Sequence, residues 1–345
     1  MVSVAIPGVA GRVGHRLLSF LERGGDIERV IGLDLHDPPR RSRHFEMHRA
    51  DVTTTELGPY FRGVDVVVHL AVVGDPVPDT AHASRVNVEG TRRVLEAAAA
   101  CGVQHVVRVA SATVYGAWPN NPVPITEAAP LRPIAGFGPA VQMAEAEWVA
   151  ADWRRTYPHI THTSLRLAPV LGADASHLGA RLLCGRRPLR VRGADAPVQF
   201  VHPDDVASAI AFAVRARLDG VFNVAADGWL ARDRVEALVP RTVPRVPAVV
   251  AARILERSWA TGFGVAPPTV LPYLIWSWVL STERLRAEGW APVHGNESIL
   301  LETADALAAA GGSATPRRRL VAGAGAAAVV AGAVAMRRRR RTDAG

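Results

Sequence analysis

Three glycines spaced by threes mark the first place in this chain where chemistry could be done. Gly8, Gly11 and Gly14 fall in Gly8-Val9-Ala10-Gly11-Arg12-Val13-Gly14, after the apolar run Val2 to Ile6 and at the start of a helical pattern from Val13 to Glu22. In that setting glycines let a strand-to-helix turn close tightly and bring its backbone up to a pyrophosphate. The helix N-terminus adds N–H donors and a favourable dipole. Asp34 ends the next apolar run, 20 residues after Gly14. A carboxylate there accepts hydrogen bonds from ribose 2′- and 3′-hydroxyls and repels a 2′-phosphate. Loop and acid together, with Arg12 and Val13 between the glycines, predict a dinucleotide site that prefers NAD to NADP. Arg40 and Arg41 follow closely and work against that preference.

The elements that must position this loop alternate. Val30 to Leu33, Val64 to Leu70, Val106 to Ala110 and Thr163 to Leu167 read as buried strands, and Val86 to Ala100 and Val141 to Trp153 as helices. Apolar strands joined by helices predict an α/β fold with a parallel, doubly wound sheet. Beyond about residue 175 the pattern loosens. Short elements are expected at Leu189 to Val191, Val198 to Val201 and Val221 to Val224, with a helix over Pro203 to Val214. Arg253 to Leu280 is very apolar, and Pro267, Pro268 and Pro272 break any spanning helix there, so it reads as pocket wall or core. The aromatics Phe263, Tyr273 and Trp276 in this stretch suggest an apolar ligand such as a lipid, quinone or steroid-like molecule.

The loop spacing and a series of later motifs resemble the extended short-chain dehydrogenase/reductase family, also called the NAD-dependent epimerase/dehydratase family. Ala50-Asp51-Val52 is similar to its adenine-contacting segment and His69-Leu70-Ala71 to its cofactor-lining fourth strand. Asn87-Val88-Glu89-Gly90-Thr91 is similar to its helix motif, and Ser111-Ala112-Thr113-Val114-Tyr115-Gly116 to its active-site strand. Leu165-Arg166, Val201 to Val206, Ser281 to Leu285 and Gly289 to Pro292 resemble its later landmarks. The resemblance spans about residues 2–305. It implies a Rossmann-type sheet with a smaller C-terminal substrate lobe, and NAD as cofactor. It places the cofactor on Gly8, Gly11, Arg12, Val13, Gly14, Asp34, Asp51, Val52, Leu70, Ala71 and Asn87. It allows a homodimer.

The departures are as informative. In the family a tyrosine, activated by a lysine four residues on, moves the substrate proton as hydride passes to or from nicotinamide. Those positions are Phe137 and Val141 here, and the chain contains no lysine at all. Tyr60, Tyr115, Tyr157 and Tyr273 are the only tyrosines, and the resemblance gives Tyr115 a structural place. Ser111 alone retains its catalytic counterpart. The asparagine and arginine that nucleotide-sugar members place near a pyrophosphate are Pro169 and Val198 here, which disfavours such substrates. His202 and Asp205 invite a metal reading, but no third ligand lies at a useful spacing. Asp204 or Asp205 is expected to cap the helix beginning at Pro203, and no metal site is expected.

Composition sets the outer bounds. The formal net charge is +8, yet residues 317–345 hold eight arginines against Asp343, so the body is close to neutral and carries no nucleic-acid footprint. Cys101 and Cys184 are too few for a disulfide framework. No charged leader precedes an apolar stretch, which predicts a cytoplasmic protein. Between the arginine clusters, Leu320 to Met336 is wholly Ala, Gly, Val, Leu and Met. It would span about 25 Å as a helix, just short of a ~30 Å hydrocarbon core. It therefore reads as a candidate membrane anchor or membrane-surface segment.

The expected division is a dinucleotide domain over 1–170, a substrate lobe over 171–307 and a linker over 308–319. A membrane-associated segment at 320–336 and a basic tail at 337–345 follow. The leading reading is an NAD-binding member that has lost its tyrosine–lysine pair, serving as a sensor or as an oxidoreductase with other acid–base chemistry. Two alternatives stand beside it. One is an active epimerase, dehydratase or dehydrogenase using Ser111 and a substitute proton donor, on a nucleotide sugar or an apolar alcohol or ketone. The other is a membrane-tethered scaffold with a structural cofactor.

Overall fold

A computed structural model describes residues 1–39, 44–174, 178–185, 188–240, 243–262, 264 and 266–312. Seven strands form one sheet: β1 (Val2–Pro7), β2 (Ile27–Asp34), β3 (Phe45–Arg49), β4 (Val66–His69), β5 (His105–Ser111), β6 (Thr161–Leu167) and β7 (Gly220–Val224). Their order is β3-β2-β1-β4-β5-β6-β7 and every pairing is parallel. The order reverses at β1, between β2 and β4. In open sheets of this kind the crevice at such a switch point receives the ligand.

The helices follow from the same alternation. They are α1 (Gly14–Glu22), α2 (Gly58–Phe61), α3 (Thr80–Ser84), α4 (Thr91–Ala100), α5 (Gly138–Thr156), α6 (Leu178–Cys184), α7 (Pro203–Ala216), α8 (Arg232–Leu238), α9 (Ala248–Ala260), α10 (Leu271–Ile275), α11 (Glu283–Ala287) and α12 (Asn296–Gly312). Because side chains alternate along a strand, Val4 and Ile6 of β1 pack with Leu17, Leu21, Val206 and Ile210 of α1 and α7. Ala5 of the same strand faces the opposite layer, with Leu95 and Ala98 of α4 and Trp153 of α5. A π-helical turn at Arg85–Gly90 leads into α4. At its end a Cβ on Gly90 would lie 2.8 Å from Val52 Cγ2, so only glycine lets the turn seat here.

Several boundaries differ from the sequence reading. The sheet does not end near residue 170: β7 pairs with β6 from Thr163↔Gly220 to Leu167↔Val224, and α7 covers the sheet beside α1. The residues expected to form the lobe therefore fall in separated stretches, before α7 and after β7. Strand β3, unread in the sequence, is an edge strand whose residues are all half-buried or exposed. The linker expected from residue 308 begins as helix, since α12 runs on through the Ala-rich stretch to Gly312. No helix among the described residues is long and apolar enough to cross a membrane. The segment 320–336, the arginine clusters flanking it, Arg40, Arg41 and Phe263 lie outside the described residues.

Candidate functional site

The glycine loop sits where β1 turns into α1. Gly8 has φ +90°, and a Cβ there would lie 2.4 Å from the Ala71 nitrogen, so the loop touches the chain leaving β4. A Cβ on Gly14 would lie 2.4 Å from the Val9 carbonyl oxygen. The Asp34 carboxylate accepts from the Ala10 N–H through Oδ2 (3.0 Å) and from the His36 N–H through Oδ1 (3.1 Å). It thus braces the loop while each oxygen keeps a lone pair for a further donor.

Behind the loop, Asp51 is buried enough to raise its pKa. The Thr53 N–H (2.8 Å) and hydroxyl (2.7 Å) outweigh that burial and hold it below the ordinary carboxylate value. The Asn87 amide exchanges hydrogen bonds with the Val73 N–H (2.7 Å) and carbonyl (3.0 Å), and donates to Gln142 Oε1 (2.9 Å). It fixes the segment after β4.

A cavity of about 610 Å³ runs from this loop into the lobe. Gly8, Gly11, Arg12, Val13, Gly14, Leu70 and Ser111 border it, whereas Asp34, Asp51, Val52, Ala71 and Asn87 do not. Of those five, Asn87 holds Val73, which does border the cavity, and Val52 is buried against Gly90 at the end of the π turn. The set is consistent with a dinucleotide, with glycines and the first turn of α1 at one end and the Asp34 carboxylate at the end of β2.

At the other end of the cavity stand Ser111, Thr113, Phe137 and Tyr273. Ser111 Oγ accepts from both the Thr113 N–H (3.2 Å) and the Thr113 hydroxyl (2.9 Å), which leaves its own hydrogen to donate. Phe137, just before α5, is buried and packs its ring 5.1 Å from that of Tyr273. Val141 lies one helical turn further on and does not border the cavity. The Tyr273 hydroxyl donates to the Thr113 carbonyl (2.8 Å), and burial pushes its pKa well up. Pro169 and Val198 also line the cavity, where they add only apolar surface. Trp276 does not: it is 43% exposed, and Trp278 takes the place beside Tyr273, with ring centroids 5.1 Å apart. The chain turns extended at Trp276, after the short helix α10, and this carries its ring outward.

Two clusters lay beyond sequence reasoning. The first is a buried ionic network. Glu147 of α5 pairs with Arg108 of β5 (2.9 Å) and Arg166 of β6 (2.9 Å) and accepts from the Ser164 hydroxyl (2.7 Å). Arg166 also donates to the Tyr115 hydroxyl, which in turn donates to Asn223 of β7 (2.8 Å each). Burial works to raise the Glu147 pKa, but the two guanidiniums prevail and hold it at about 2. Tyr115 is thereby a core group. The sequence signal was an arginine inside the apolar run Val106 to Ala110.

The second cluster lies at the start of α7. His202 itself is the N-cap, with Nδ1 accepting from the Asp204 N–H (3.2 Å), so neither Asp204 nor Asp205 fills that role. Proline at N1 leaves the cap to the residue before it, and Asp205 turns away to accept from the Val293 and His294 N–H groups (3.0 Å each). His294 stacks on His202 with centroids 3.8 Å apart and 24° between planes. The third ligating group that local spacing lacked is therefore supplied by the fold: His202, Asp204 and His294 bring ligand atoms within 4.8 Å of one another. Stacked rings, however, direct their in-plane lone pairs along separate planes, and Nδ1 of His202 is already engaged as the cap. The geometry is that of a helix cap, closed by Glu302 against His202 Nε2 (3.2 Å).

Comparison with known proteins agrees with this architecture. A family model described as the NAD dependent epimerase/dehydratase family matches residues 4–225. An uncharacterised protein of Mycobacterium tuberculosis is 29% identical over 300 residues, covering 84% of this chain and 80% of that one. A 3-diazoavenalumate denitrifying reductase from a Streptomyces species is 28% identical over 274 residues, covering 73% of this chain and 86% of the reductase. Among solved structures, the UDP-glucose 4-epimerase of Thermus thermophilus in complex with NAD superposes with a TM-score of 0.67 at 24% identity. That match covers 89% of this chain and 99% of the epimerase.

Proposed function

The chain belongs to the NAD-dependent epimerase/dehydratase family, and from that premise we propose that it binds NAD(H) along the glycine loop and seats an apolar substrate at the far end of the same cavity. Its chemistry is that of an oxidoreductase without the tyrosine–lysine proton relay. When bound, the dinucleotide supplies or accepts hydride. The protein's own contribution is to bind, orient and exclude water. Gly8, Gly11 and the first turn of α1 hold the pyrophosphate, Asp34 takes the ribose hydroxyls, and Ser111 donates its free hydrogen to a substrate oxygen.

The observation that carries this reading is the end of the cavity around Ser111, where Phe137 stands. The resemblance assigns Phe137 to the tyrosine position, where it has no proton to give, and Val141 to the lysine position, where it offers no charge to stabilise a phenolate. The nearby Tyr273 hydroxyl is committed to the Thr113 carbonyl and has its pKa raised rather than lowered. A site so built suits acceptors whose hydride adduct is a stabilised anion that takes its proton from solvent on release, with Ser111 polarising the acceptor by a hydrogen bond. The Streptomyces relative, whose name describes a reductase, supports the same class of reaction. A nucleotide-sugar substrate is disfavoured, because Val198 and Pro169 leave that stretch of wall without a charged or amide side chain.

Two measurements test the proposal. Calorimetric titration of the full chain should show micromolar NADH binding, with NADPH at least about tenfold weaker, a difference of 1.4 kcal/mol. Asp34→Asn should narrow that gap. No binding of either dinucleotide would overturn the reading. Incubation with UDP-glucose and NAD should give no 4-epimerised product, and turnover comparable to an ordinary epimerase would show that a proton donor operates here after all.

A further inference from the structure

The lobe end of the cavity is apolar except at one point. Leu182, Val198, Val270, Leu274 and Trp278 form its walls, and its polar side chains are already engaged. Gln199 donates to the carbonyls of Ala226 (3.0 Å) and Gly228 (2.9 Å) and accepts from the Leu280 N–H (2.7 Å). Tyr273 donates to Thr113 (2.8 Å), and the Trp278 indole donates to the Tyr273 carbonyl (3.1 Å). Arg232 is different. It opens α8 and borders both this cavity and a small adjoining one of about 30 Å³. One Nη2 hydrogen bond goes to the Leu274 carbonyl (3.0 Å), and the Nε–H is buried with no partner.

Among the described residues no carboxylate lies within ion-pair distance of this guanidinium. Glu236 is nearest in chemistry, but it is shared between Arg190 (3.3 Å) and Arg245 (2.8 Å), and Asp195 is exposed. Among the described residues the group of Arg190, Arg232 and Arg245 against Glu236 and Asp195 thus holds one positive charge in excess. Burial pushes the Arg232 pKa down against the pull of those two acids, and arginine stays charged all the same. A half-buried guanidinium on the wall of an apolar cavity is costly unless something completes it, and a single carboxylate in the cavity matches the one surplus charge.

We propose that Arg232 recognises the carboxylate of the substrate, so that the compounds this site takes are apolar carboxylic acids with the acid group at Arg232 and the reacting oxygen toward Ser111. The inference rests on the cavity being the ligand site of an NAD-binding protein, and the test separates the two. The full chain, saturated with NADH, is titrated calorimetrically with octanoate and 4-phenylbutanoate and with their methyl esters. The acids should bind about ten- to a hundredfold more tightly than the esters, the range expected of a hydrogen-bonded charge. In Arg232→Met that preference should vanish, and in Arg232→Lys part of it should remain.

Equal binding of acid and ester by the unaltered protein overturns the proposal, as does a preference undiminished in Arg232→Met, or no binding of any of the four compounds at millimolar concentration. If Arg232→Met fails to fold, seen as loss of its own NADH binding, the acid-to-ester ratio of the unaltered protein and of Arg232→Lys decides. Failure of the functional reading would appear separately, as absence of NADH binding in the unaltered chain.

Discussion

At Gly8 two constraints coincide, a left-handed backbone and a neighbouring chain too close for any side chain. Gly25 isolates the first of these, since its φ is +67° but nothing lies within 4 Å of where a Cβ would be. Gly25→Ala should therefore cost about 1 kcal/mol, the left-handed penalty alone. Gly8→Ala should cost more than about 2 kcal/mol and weaken NADH binding at least about tenfold, because the Ala71 backbone must move. Urea denaturation and NADH titration of the two variants check this, and equal costs at the two positions would refute it. The loop was legible because glycine spacing reports backbone geometry directly. The proposed loss of the relay rests on Phe137 and Val141 in the same direct way, since identity alone decides whether a side chain can give up a proton. Arg232 was not legible. It is one of many arginines in a lysine-free chain, and only the fold shows which of them stands on the apolar wall of the cavity.

Between elements, the strongest tie is the network that Glu147 makes from α5 across β5 and β6. It joins the helix that follows Phe137 to the strand that ends at Ser111, so the geometry of that end of the cavity depends on it. Glu147→Leu leaves two buried guanidiniums facing each other and should destabilise the protein by about 3–5 kcal/mol. Replacing Arg108, Glu147 and Arg166 together with apolar residues should cost less than that single change. Comparison of urea midpoints decides, and a triple variant weaker than Glu147→Leu would sink the argument. The sequence disclosed the central strands and helices, whose apolar runs are continuous. It did not disclose β3, because an edge strand with polar alternation resembles a loop, or the return of β7 to the sheet, because pairing across some fifty residues has no local signature. Asp205 is a further case. Read as a helix cap, it is instead the acceptor that holds Val293 and His294, and that contact spans 88 residues.

Over the whole molecule, the same burial that builds the core fixes how stability follows pH. His69, His105 and His162 are buried among the strands, and their pKa values are pushed down to about 3, 4 and 3, chiefly by burial and further by Arg108 or Arg217. The Thr91 hydroxyl donates to the Asn87 carbonyl, so it accepts from His69 Nε2, which places the hydrogen of the neutral His69 ring on Nε2. In the unfolded chain each of these rings titrates near the ordinary histidine value of about 6.5. Between that value and the folded one the unfolded state binds more protons, so stability is full above about pH 6.5 and falls as pH drops.

Each histidine then removes up to about 1.4 kcal/mol per pH unit, and three together reach about 6 kcal/mol by pH 5, as much as many domains possess. Glu147 adds a second loss at lower pH. Its stabilisation is complete above about 4.5 and disappears as pH falls toward 2. Urea midpoints measured from pH 8 to pH 5 should therefore be level above about 7 and fall steeply below about 6.5. His162→Phe should take away about a third of that slope, because its buried Nε2 makes no hydrogen bond that the substitution would sacrifice. A profile level down to pH 5.5, or a slope that His162→Phe leaves unchanged, would mean that these rings are charged or hydrated in the folded state, and that the centre of the sheet is wetter than its packing implies.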